Sequence, residues 1–313
     1  MGQVVIGHLT IDNISGANSI KIKNCVPGGA AMYAACGAAI WNDAVTVISK
    51  LGKDYVLYER LNEGIFEGIN TSYLIQVDVP SIRLDIQYDI NGEHTFVPLG
   101  GIKSYSEMAP DSEDITDEVL QENRVFHITP LPILYQRSII DKIRSTEQEK
   151  KSITLDPDIL DITYENTNIW MDILGRIDVL ILSMVEFNKF ESLISSEKEE
   201  KDIFDRIYDL QYFFSVKNIV LRAGKQGAYL VKADGKKYHI GIIDKHYTDY
   251  TGAGDAFAGG LGYAIDNGYS LERGLVYGTV SSSVAMMEFG YEHMLAVSQK
   301  ELEEMIKDIE RKL

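Results

Sequence analysis

Short apolar runs alternate along this chain with segments whose apolar residues recur at helical spacing, and this alternation limits the available folds most strongly. The apolar runs cover residues 4–9, 125–128, 152–155, 179–182 and 218–221. The helical patterns between the later runs cover about 133–145, 168–174 and 203–214. Continuous apolar strands separated by amphipathic helices are typical of βαβ units. We therefore predict an α/β fold with a mostly parallel central sheet that is flanked by helices.

One segment departs from this pattern and shows strict alternation instead. Its apolar positions are Ile82, Leu84, Ile86, Tyr88 and Ile90. This period of two indicates a half-buried strand, and the Asn91-Gly92 pair that follows favours a tight hairpin turn with a returning strand from His94. An isolated hairpin is not stable in water, so its apolar face must be covered by the body of the protein, a partner subunit or a ligand.

A second stretch with polar alternation, residues 12–24, has the composition to pair with this hairpin. We predict that the segments at about 12–24 and 80–100 form a small β lid, inserted in one domain that spans residues 1–313. The lid would close over a bound acceptor and exclude water. Its apolar face also predicts a homodimer in which two chains meet through their lids.

The charge of the chain limits its partners. The sequence has 30 Lys and Arg against 47 Asp and Glu, a formal net charge of −17. Such a surface repels a nucleic-acid backbone and an anionic membrane, which argues against both partners. The two cysteines, Cys25 and Cys36, belong to no disulfide framework or metal motif, and no cationic segment precedes an apolar stretch near residue 1. A cytoplasmic location is therefore expected.

The strongest chemical signal is the sequence D-Y-T-G-A-G-D-A-F at residues 249–257. Its glycines permit close approach of a ligand to the backbone, and the first amides of the helix that follows have no intrahelical partner. We therefore predict that the amides of Gly252, Ala253 and Gly254 form an anion site. The carboxylate of Asp255, in the same helical turn, can accept a proton from an attacking hydroxyl while the amides stabilise a transferring phosphoryl group. A tightly packed glycine helix with Asp255 as a first-turn charge is the alternative.

A second glycine cluster precedes an alanine-rich helix. Gly28 and Gly29 allow the backbone to approach a ligand hydroxyl closely, and Tyr33 lies in the helix that follows. Close packing of a small-residue helix on the sheet would explain the same pattern. Asp12, shortly after the first strand, is able to bind hydroxyl groups, although aspartates at strand ends commonly form turns.

The order of these features resembles the ribokinase/PfkB carbohydrate kinase family over essentially the whole chain. The resemblance rests on the Gly-Gly pair near residue 28, the hairpin lid, and D-x-T-G-A-G-D-A-F near residue 250. It implies a ribokinase-like α/β domain that transfers the γ-phosphate of ATP to a hydroxyl of a sugar or sugar-like polyol. Asp255 would be the general base, and residues 252–254 would form the anion hole. The residues that would line the acceptor site are Asp12, Gly28, Gly29 and Tyr33.

The resemblance also implies sites for ATP and metal ions. The segment V-L-R-A-G-K-Q-G at 220–227 is similar to the family's strand-to-turn element beside the nucleotide, so Gly224 and Gly227 would contact ATP. The sequence S-M-V-E at 183–186 takes the place of the family's N-x-x-E motif. Ser183 would lie near the phosphates, and Glu186 would organise Mg²⁺ through water.

A monovalent cation such as K⁺ is also expected from the resemblance, at Asp249 and the backbone near Gly290. The only cationic side chains near the motifs are Arg222 and Lys225. The phosphate site of this acidic chain is therefore expected to consist of backbone amides, a helix terminus and Mg²⁺ brought in with the nucleotide.

Two departures from the family pattern leave the acceptor open. Tyr33 stands where the family often has Asn, and Ser183 stands where it has the Asn of its N-x-x-E motif. A nucleoside kinase or a myo-inositol kinase is the alternative within the family. A non-catalytic sensor of a sugar or nucleotide is the alternative outside enzymes. The chain contains no G-x-x-x-x-G-K-[ST] loop and no G-x-G-x-x-G after its first strand, which argues against P-loop enzymes and dehydrogenases.

Overall fold

The computed structural model describes residues 2–16, 21–41, 44–57, 59–62, 66, 68–88, 94–146, 151–194 and 201–312. Within these residues the strands are β1 (Gln3–Ile6), β2 (Thr10–Ser15), β3 (Lys21–Gly28), β4 (Val45–Gly52), β5 (Ile69–Asn70), β6 (Leu74–Val77), β7 (Ile82–Tyr88), β8 (His94–Leu99), β9 (Val125–Ile128), β10 (Ser152–Leu155), β11 (Val179–Ser183), β12 (Ile219–Arg222), β13 (Ala228–Val231) and β14 (Lys237–Ile240). The α-helices in the same ranges are α1 (Ala30–Ala39), α2 (Gly101–Glu107), α3 (Asp117–Glu122), α4 (Ile133–Arg144), α5 (Thr167–Leu174), α6 (Met184–Ile194), α7 (Ile203–Phe213), α8 (Ala253–Asp266), α9 (Leu271–Ala285) and α10 (Gln299–Glu310).

The larger sheet has the strand order β14-β13-β12-β11-β10-β9-β1-β4-β5, with β6 also paired to β4. Every neighbouring pair from β12 to β5 is parallel. At the other edge β12, β13 and β14 pair antiparallel. The mostly parallel sheet predicted from the apolar runs is thus confirmed, and the antiparallel edge is an addition that the runs did not predict.

Both faces of the central strands of this sheet are buried, which explains why these strands are predominantly apolar. In β11, Val179 and Ile181 join the core on one face, whereas Leu180 and Leu182 join the core on the other. Helices α1, α8, α9 and α10 cover the first face, and α3 to α7 cover the second. No helix in the described ranges is long and apolar enough to cross a membrane.

A separate small sheet has the order β3-β2-β7-β8. Its strands lie within or close to the two segments predicted as a lid, and β2 pairs with β7 in parallel, so that Ile14 lies opposite Ile86. The predicted turn at Asn91-Gly92 and the predicted apolar position Ile90 lie outside the described residues.

The chain itself covers part of the apolar face of this sheet. Ile82 and Ile86 are only 2% and 4% exposed within a single chain. The large apolar side chains that stay exposed on the small sheet are instead Ile22, Phe96, Val97 and Leu99. An interface between two chains would therefore have to use β8 and the side chain of Ile22, and could not use Ile82 or Ile86.

Helix α8 runs antiparallel to the parallel strands. Gly254 in its first turn lies against Arg222, the last residue of β12, whereas Gly262 lies against the side chain of Gln3 at the start of β1. The N-terminus of α8 therefore lies at the carboxyl ends of the strands. In open α/β sheets this is the edge at which ligands bind.

Candidate active site

Polar residues follow the parallel strands at their carboxyl ends. Asp156 comes directly after β10, Ser183 ends β11 and Arg222 ends β12. The chain leaves β1 towards β4 on one side and leaves β9 towards β10 on the other. The crevice between β1 and β9 is therefore the topological switch point, where a ligand site is expected.

Small residues let α1 and α8 approach closely. A Cβ atom at Gly259 would lie 1.9 Å from the carbonyl oxygen of Ala34, and one at Gly37 would lie 2.3 Å from that of Ala256. The same contact brings the two glycine motifs together. The ring of Tyr33 lies against Gly252, because a Cβ there would be 2.2 Å from Cγ of the tyrosine. Two motifs that are distant in sequence thus form one site.

Asp12 lies in this site. Its side chain is buried, it accepts a hydrogen bond from Thr10 Oγ1 at 2.7 Å, and a Cβ at Gly28 would be 1.9 Å from its Oδ2. Burial raises the pKa of Asp12 to about 7, which the Thr10 bond opposes and the carboxylates of Asp249 and Asp255 reinforce. Gly28 is therefore required by the position of Asp12. The structure brings together Asp12, Gly28 and Tyr33, as the sequence predicted.

Gly29 has a different role from its neighbour. Its φ of 107° lies in the region that favours glycine, and a Cβ would be 2.4 Å from the carbonyl oxygen of His8. The carbonyl of His8 also accepts a hydrogen bond from the Ala31 amide. Gly29 therefore fixes how α1 begins beside the end of β1.

Tyr33 carries a polar group with no partner in the chain. Its side chain is 1% exposed, and its hydroxyl has no hydrogen-bond partner among the described residues. The ring packs edge-on against Tyr291, with centroids 5.6 Å apart. Burial, together with the nearby carboxylate of Asp12, raises the pKa of Tyr33 well above its usual value, so the hydroxyl keeps its proton. A neutral donor is thus available to a ligand beside Asp12.

Asp255 lies in the first turn of α8, as predicted. Burial raises the pKa of Asp255 to about 6, although the nearby Arg222 lowers it and Glu186 raises it further. Gly252, which precedes the helix, has a φ of 73°, a backbone conformation that favours glycine. The Ala253 amide donates to the Tyr250 carbonyl at 3.3 Å, a hydrogen bond that the sequence analysis did not predict. The amide of Gly254 donates to no backbone carbonyl among the described residues.

Arg222 lies beside this helix start, and three carboxylates surround it. Its Nη2 is 3.0 Å from Asp156 Oδ2 and 3.8 Å from Glu186 Oε2. Burial lowers the pKa of the guanidinium, but the carboxylates of Asp156, Glu186 and Asp255 raise it by more. The sequence analysis did not identify Asp156 as a site residue, although a polar residue directly after an apolar strand is typical of a ligand site in a parallel sheet.

Ser183 and Glu186 form a reciprocal cap at the start of α6. The Ser183 amide donates to Glu186 Oε2 at 2.6 Å, and the Glu186 amide donates to Ser183 Oγ at 3.3 Å. Both side chains therefore stabilise the start of α6. The sequence analysis did not predict this structural role for Ser183. The carboxylate of Glu186 nevertheless lies near Arg222 and the carboxyl ends of β11 and β12.

Tyr88 connects the small sheet to the motif at 249–257, a contact that sequence reasoning missed. Its hydroxyl donates to Asp249 Oδ1 at 2.8 Å and lies 2.7 Å from Thr251 Oγ1. Asp249 Oδ1 also accepts from the Thr251 amide at 3.0 Å. Asp249 is 2% exposed, and its Oδ2 has no partner within the described ranges.

The turn between β12 and β13 contains the two glycines predicted to contact a nucleotide. Gly224 has a φ of 54° and open space where a Cβ would be. Gly227 has a φ of 83°, and a Cβ would be 1.9 Å from the Ile240 carbonyl oxygen, so the neighbouring strand requires this glycine. A groove of about 670 Å³ borders the turn, and its lining includes Lys225, Gln226, Tyr229 and His239.

Comparison with characterised proteins identifies relatives along nearly the whole chain. A cytidine kinase from Thermococcus kodakarensis is 22% identical, over 92% of this chain and 96% of that protein. A 5-dehydro-2-deoxygluconokinase from Clostridium beijerinckii is 26% identical, over 91% of this chain and 85% of that protein. These two relatives carry different substrates in their names.

A solved structure shares the fold. The crystal structure of a candidate ribokinase II from Escherichia coli, in complex with ATP and Mg²⁺, superposes with a TM-score of 0.76 at 18% identity. The match covers 98% of this chain and 99% of that one. The ribokinase-like fold predicted from the sequence is therefore confirmed.

The match to a family model extends over the site itself. The model describes the pfkB family carbohydrate kinases, and it matches residues 4–296. This range includes both glycine motifs, Asp12, Arg222 and Asp255. The chain therefore belongs to the pfkB family of carbohydrate kinases.

Proposed function

We propose that this kinase transfers the γ-phosphoryl group of ATP to a hydroxyl of a sugar or sugar-like polyol, with Asp255 as the general base. The observation that carries the proposal is the position of Asp255 in the first turn of α8, beside the amide of Gly254 and the Arg222 guanidinium. A proton acceptor and groups that stabilise an anion thus lie at one helix terminus.

The reaction assigned to these groups is an in-line displacement. The Asp255 carboxylate takes the proton from the acceptor hydroxyl as its oxygen forms a bond to the γ-phosphorus. The bond between that phosphorus and the bridging oxygen breaks, and ADP leaves with the bond electrons. With a pKa of about 6, Asp255 is mostly ionised at neutral pH and is still a stronger base than an ordinary aspartate.

The acceptor side of the site favours a neutral polyol. Asp12 and the Tyr33 hydroxyl can form hydrogen bonds with hydroxyl groups of a ligand. The carboxylates of Asp249 and Asp255 lie near enough to interact electrostatically with Asp12. An acceptor with a carboxylate or phosphate group near Asp12 would be repelled by these side chains. We therefore prefer sugars, inositols and other neutral polyols to sugar acids.

The nucleoside part of ATP is assigned to the groove beside Gly224 and Gly227. This groove borders the turn that follows β12, and the ring of Tyr229 lies against His239 in its wall at a centroid distance of 4.4 Å. A nucleotide along the turn would extend its phosphates towards the start of α8. The open space at Gly224 supports this direction of approach.

The residues present fit a Mg²⁺ ion that arrives with the nucleotide. Among the described residues no group of three His, Cys, Asp or Glu side chains is placed to hold a metal ion, so this part of the chain offers no all-protein metal cage. Mg²⁺ commonly keeps several waters and uses one or two carboxylates together with substrate phosphates. Glu186 would hold such an ion through water, and the ion would neutralise phosphate charge.

A monovalent cation such as K⁺ also fits one group of this chain. The Oδ2 atom of Asp249 is buried without a partner in the described part of the structure. A buried carboxylate oxygen is costly unless it is hydrogen-bonded or binds a cation. Asp249 therefore remains the predicted ligand of that ion.

The activity should depend on pH through Asp255. Because the base must be ionised, kcat/KM should be constant above about pH 7 and should fall about tenfold per unit below about pH 6. Burial raises the pKa of Asp255 to about 6, while Arg222 lowers this pKa and Glu186 raises it. A pH profile of kcat/KM in wild type and in Asp12→Asn, which removes the other group that titrates nearby, tests the assignment. A profile that is flat from pH 5 to pH 8 would exclude Asp255 as the base.

A coupled assay of ADP release over a panel of acceptors tests the proposed function. The panel contains neutral sugars, inositols, nucleosides and a sugar acid, each with Mg²⁺ and with or without K⁺. We expect release with a neutral sugar or polyol. Release with nucleosides alone would favour the nucleoside kinase alternative, which the cytidine kinase relative supports. ATP binding without release for any acceptor would favour a sensor. Equal rates of ADP release with and without K⁺ would exclude a role for the monovalent cation in the reaction.

The small sheet is proposed to act as a lid and to join two chains. The exposed side chains of Phe96, Val97 and Leu99 on β8 would form the interface. Light scattering should give a mass of twice 35.1 kDa for wild type. The variant Val97→Lys, which places a charge at a position 57% exposed, should give the monomer mass. A wild-type monomer at all concentrations, with or without ligands, would refute the dimer.

A further inference from the structure

A single guanidinium lies between the carboxylates and the helix start of the proposed phosphoryl-transfer site. Arg222 ends β12, where its backbone pairs with Ser183 on one side and with Ala228 on the other. Its side chain is 16% exposed, so most of it is removed from water. The ion pair with Asp156 holds the guanidinium inside the protein.

The hydrogen-bonding groups of Arg222 divide between two directions. Nη2 binds Asp156, at 3.0 Å from Oδ2 and 3.3 Å from Oδ1. Nη1 lies against the α8 terminus, because a Cβ at Gly254 would be only 2.2 Å from it. Nε is buried and has no partner within the described residues. Asp156 therefore binds Nη2, and Nη1 beside the α8 terminus is left for a ligand.

The charges of the site require a fixed cation. Asp156, Glu186 and Asp255 lie around Arg222, and all three raise its pKa. Without the guanidinium these carboxylates would repel the phosphates of a nucleotide at short range. Arginine suits this role because its planar fork binds phosphate oxygens in pairs and stays charged when buried.

We propose that Arg222 is a phosphate-binding residue of this kinase, and that Nη1 binds an oxygen of the transferring phosphoryl group beside the amide of Gly254. This inference rests on the proposed function. Arg222 forms and breaks no covalent bond; it stabilises the negative charge on the phosphoryl oxygens while Asp255 takes the proton. Asp156 is the positioning residue that orients the guanidinium.

Calorimetric binding of ATP and of adenosine tests this role. In Arg222→Gln we expect ATP affinity to fall about tenfold or more, because charge-assisted bonds to the phosphates are lost, while adenosine affinity stays unchanged. The value of kcat should fall about 10³-fold or more, at the lower end of the range attributed to arginines at such sites. Arg144→Gln is the matched control, since it breaks a partly buried ion pair to Asp178 outside the proposed site. The control should keep the ATP affinity of wild type.

A double variant separates phosphate binding from a structural role. Arg222→Gln alone leaves Asp156 buried without its partner, which should lower the thermal unfolding midpoint. Arg222→Gln combined with Asp156→Asn should restore the midpoint but keep ATP binding weak. Recovery of ATP affinity together with the midpoint would overturn the proposal, as would a single variant within twofold of wild type in ATP affinity and kcat. A wild-type protein that binds neither ATP nor ADP would overturn the proposed function as well.

Discussion

Replacement of Asp255 by Asn should remove phosphoryl transfer and leave nucleotide binding intact. The amide has nearly the same size as the carboxylate and keeps the first turn of α8, but it cannot accept the proton of the acceptor hydroxyl. General base catalysis is worth about 10²–10⁴-fold, so kcat should fall by that factor. Steady-state kinetics gives the rate, and calorimetry with ATP gives the affinity.

Asp266 provides a control for this substitution in the same helix. It is the last residue of α8, 8% exposed, and its carboxylate lies 3.4 Å from Arg124 Nη2. Asp266→Asn should therefore leave kcat close to the wild-type value. If Asp255→Asn retains near-wild-type turnover with any accepted substrate, Asp255 is not the base. If it loses ATP binding as well, the substitution has damaged the phosphate site and not only the proton transfer.

Gly259→Ala should destabilise the protein by about 2 kcal/mol or more. The added methyl group gains about 1 kcal/mol in helix propensity, but its Cβ would lie 1.9 Å from the carbonyl oxygen of Ala34. Backbone atoms cannot move aside as a side chain can, so α1 and α8 must separate, and the cost should reach the upper end of what overpacking costs, about 3 kcal/mol or more. The free energy of unfolding in urea measures the loss.

The same change should also affect the site, because the α1–α8 contact holds Tyr33 against Gly252. We expect the KM for the acceptor to rise together with the loss of stability. Gly175→Ala is the matched control, since Gly175 has a φ of −67° and its nearest atom would be 3.7 Å away. Equal stability of the two variants would show that α1 and α8 do not need the close contact.

The central strands were predictable because they are buried on both faces. The runs at 125–128 and 152–155 coincide with β9 and β10, since a strand with no solvent-exposed face has the same limits in the sequence and in the structure. Helix α4 ends at Arg144, one residue from the predicted limit. The β13–β14 pair was missed, because β14 at the edge is mostly exposed and carries Lys237 and His239 among its four residues.

The site was predictable only where one short segment supplies the chemistry. The position of Asp255 in the first turn of α8 follows from the glycines directly before it. The contacts of Arg222 with Gly254 and of Tyr88 with Asp249 depend on strand order and on how the small sheet packs against the main body. No local pattern encodes either contact. The hydrogen bond from the Ala253 amide to the Tyr250 carbonyl was not predicted, because it depends on the conformation of the preceding turn.

The most direct test of the central claim is the fate of the γ-phosphoryl group. Wild-type protein is incubated with ATP, Mg²⁺ and the acceptor that releases ADP most rapidly, and mass spectrometry then identifies the products. We predict one ADP for each acceptor molecule that carries a single new phosphate ester, and at least about 100-fold less ester in the same time with Asp255→Asn. ADP and free inorganic phosphate with an unmodified acceptor, or an ester formed equally well by Asp255→Asn, would contradict this account.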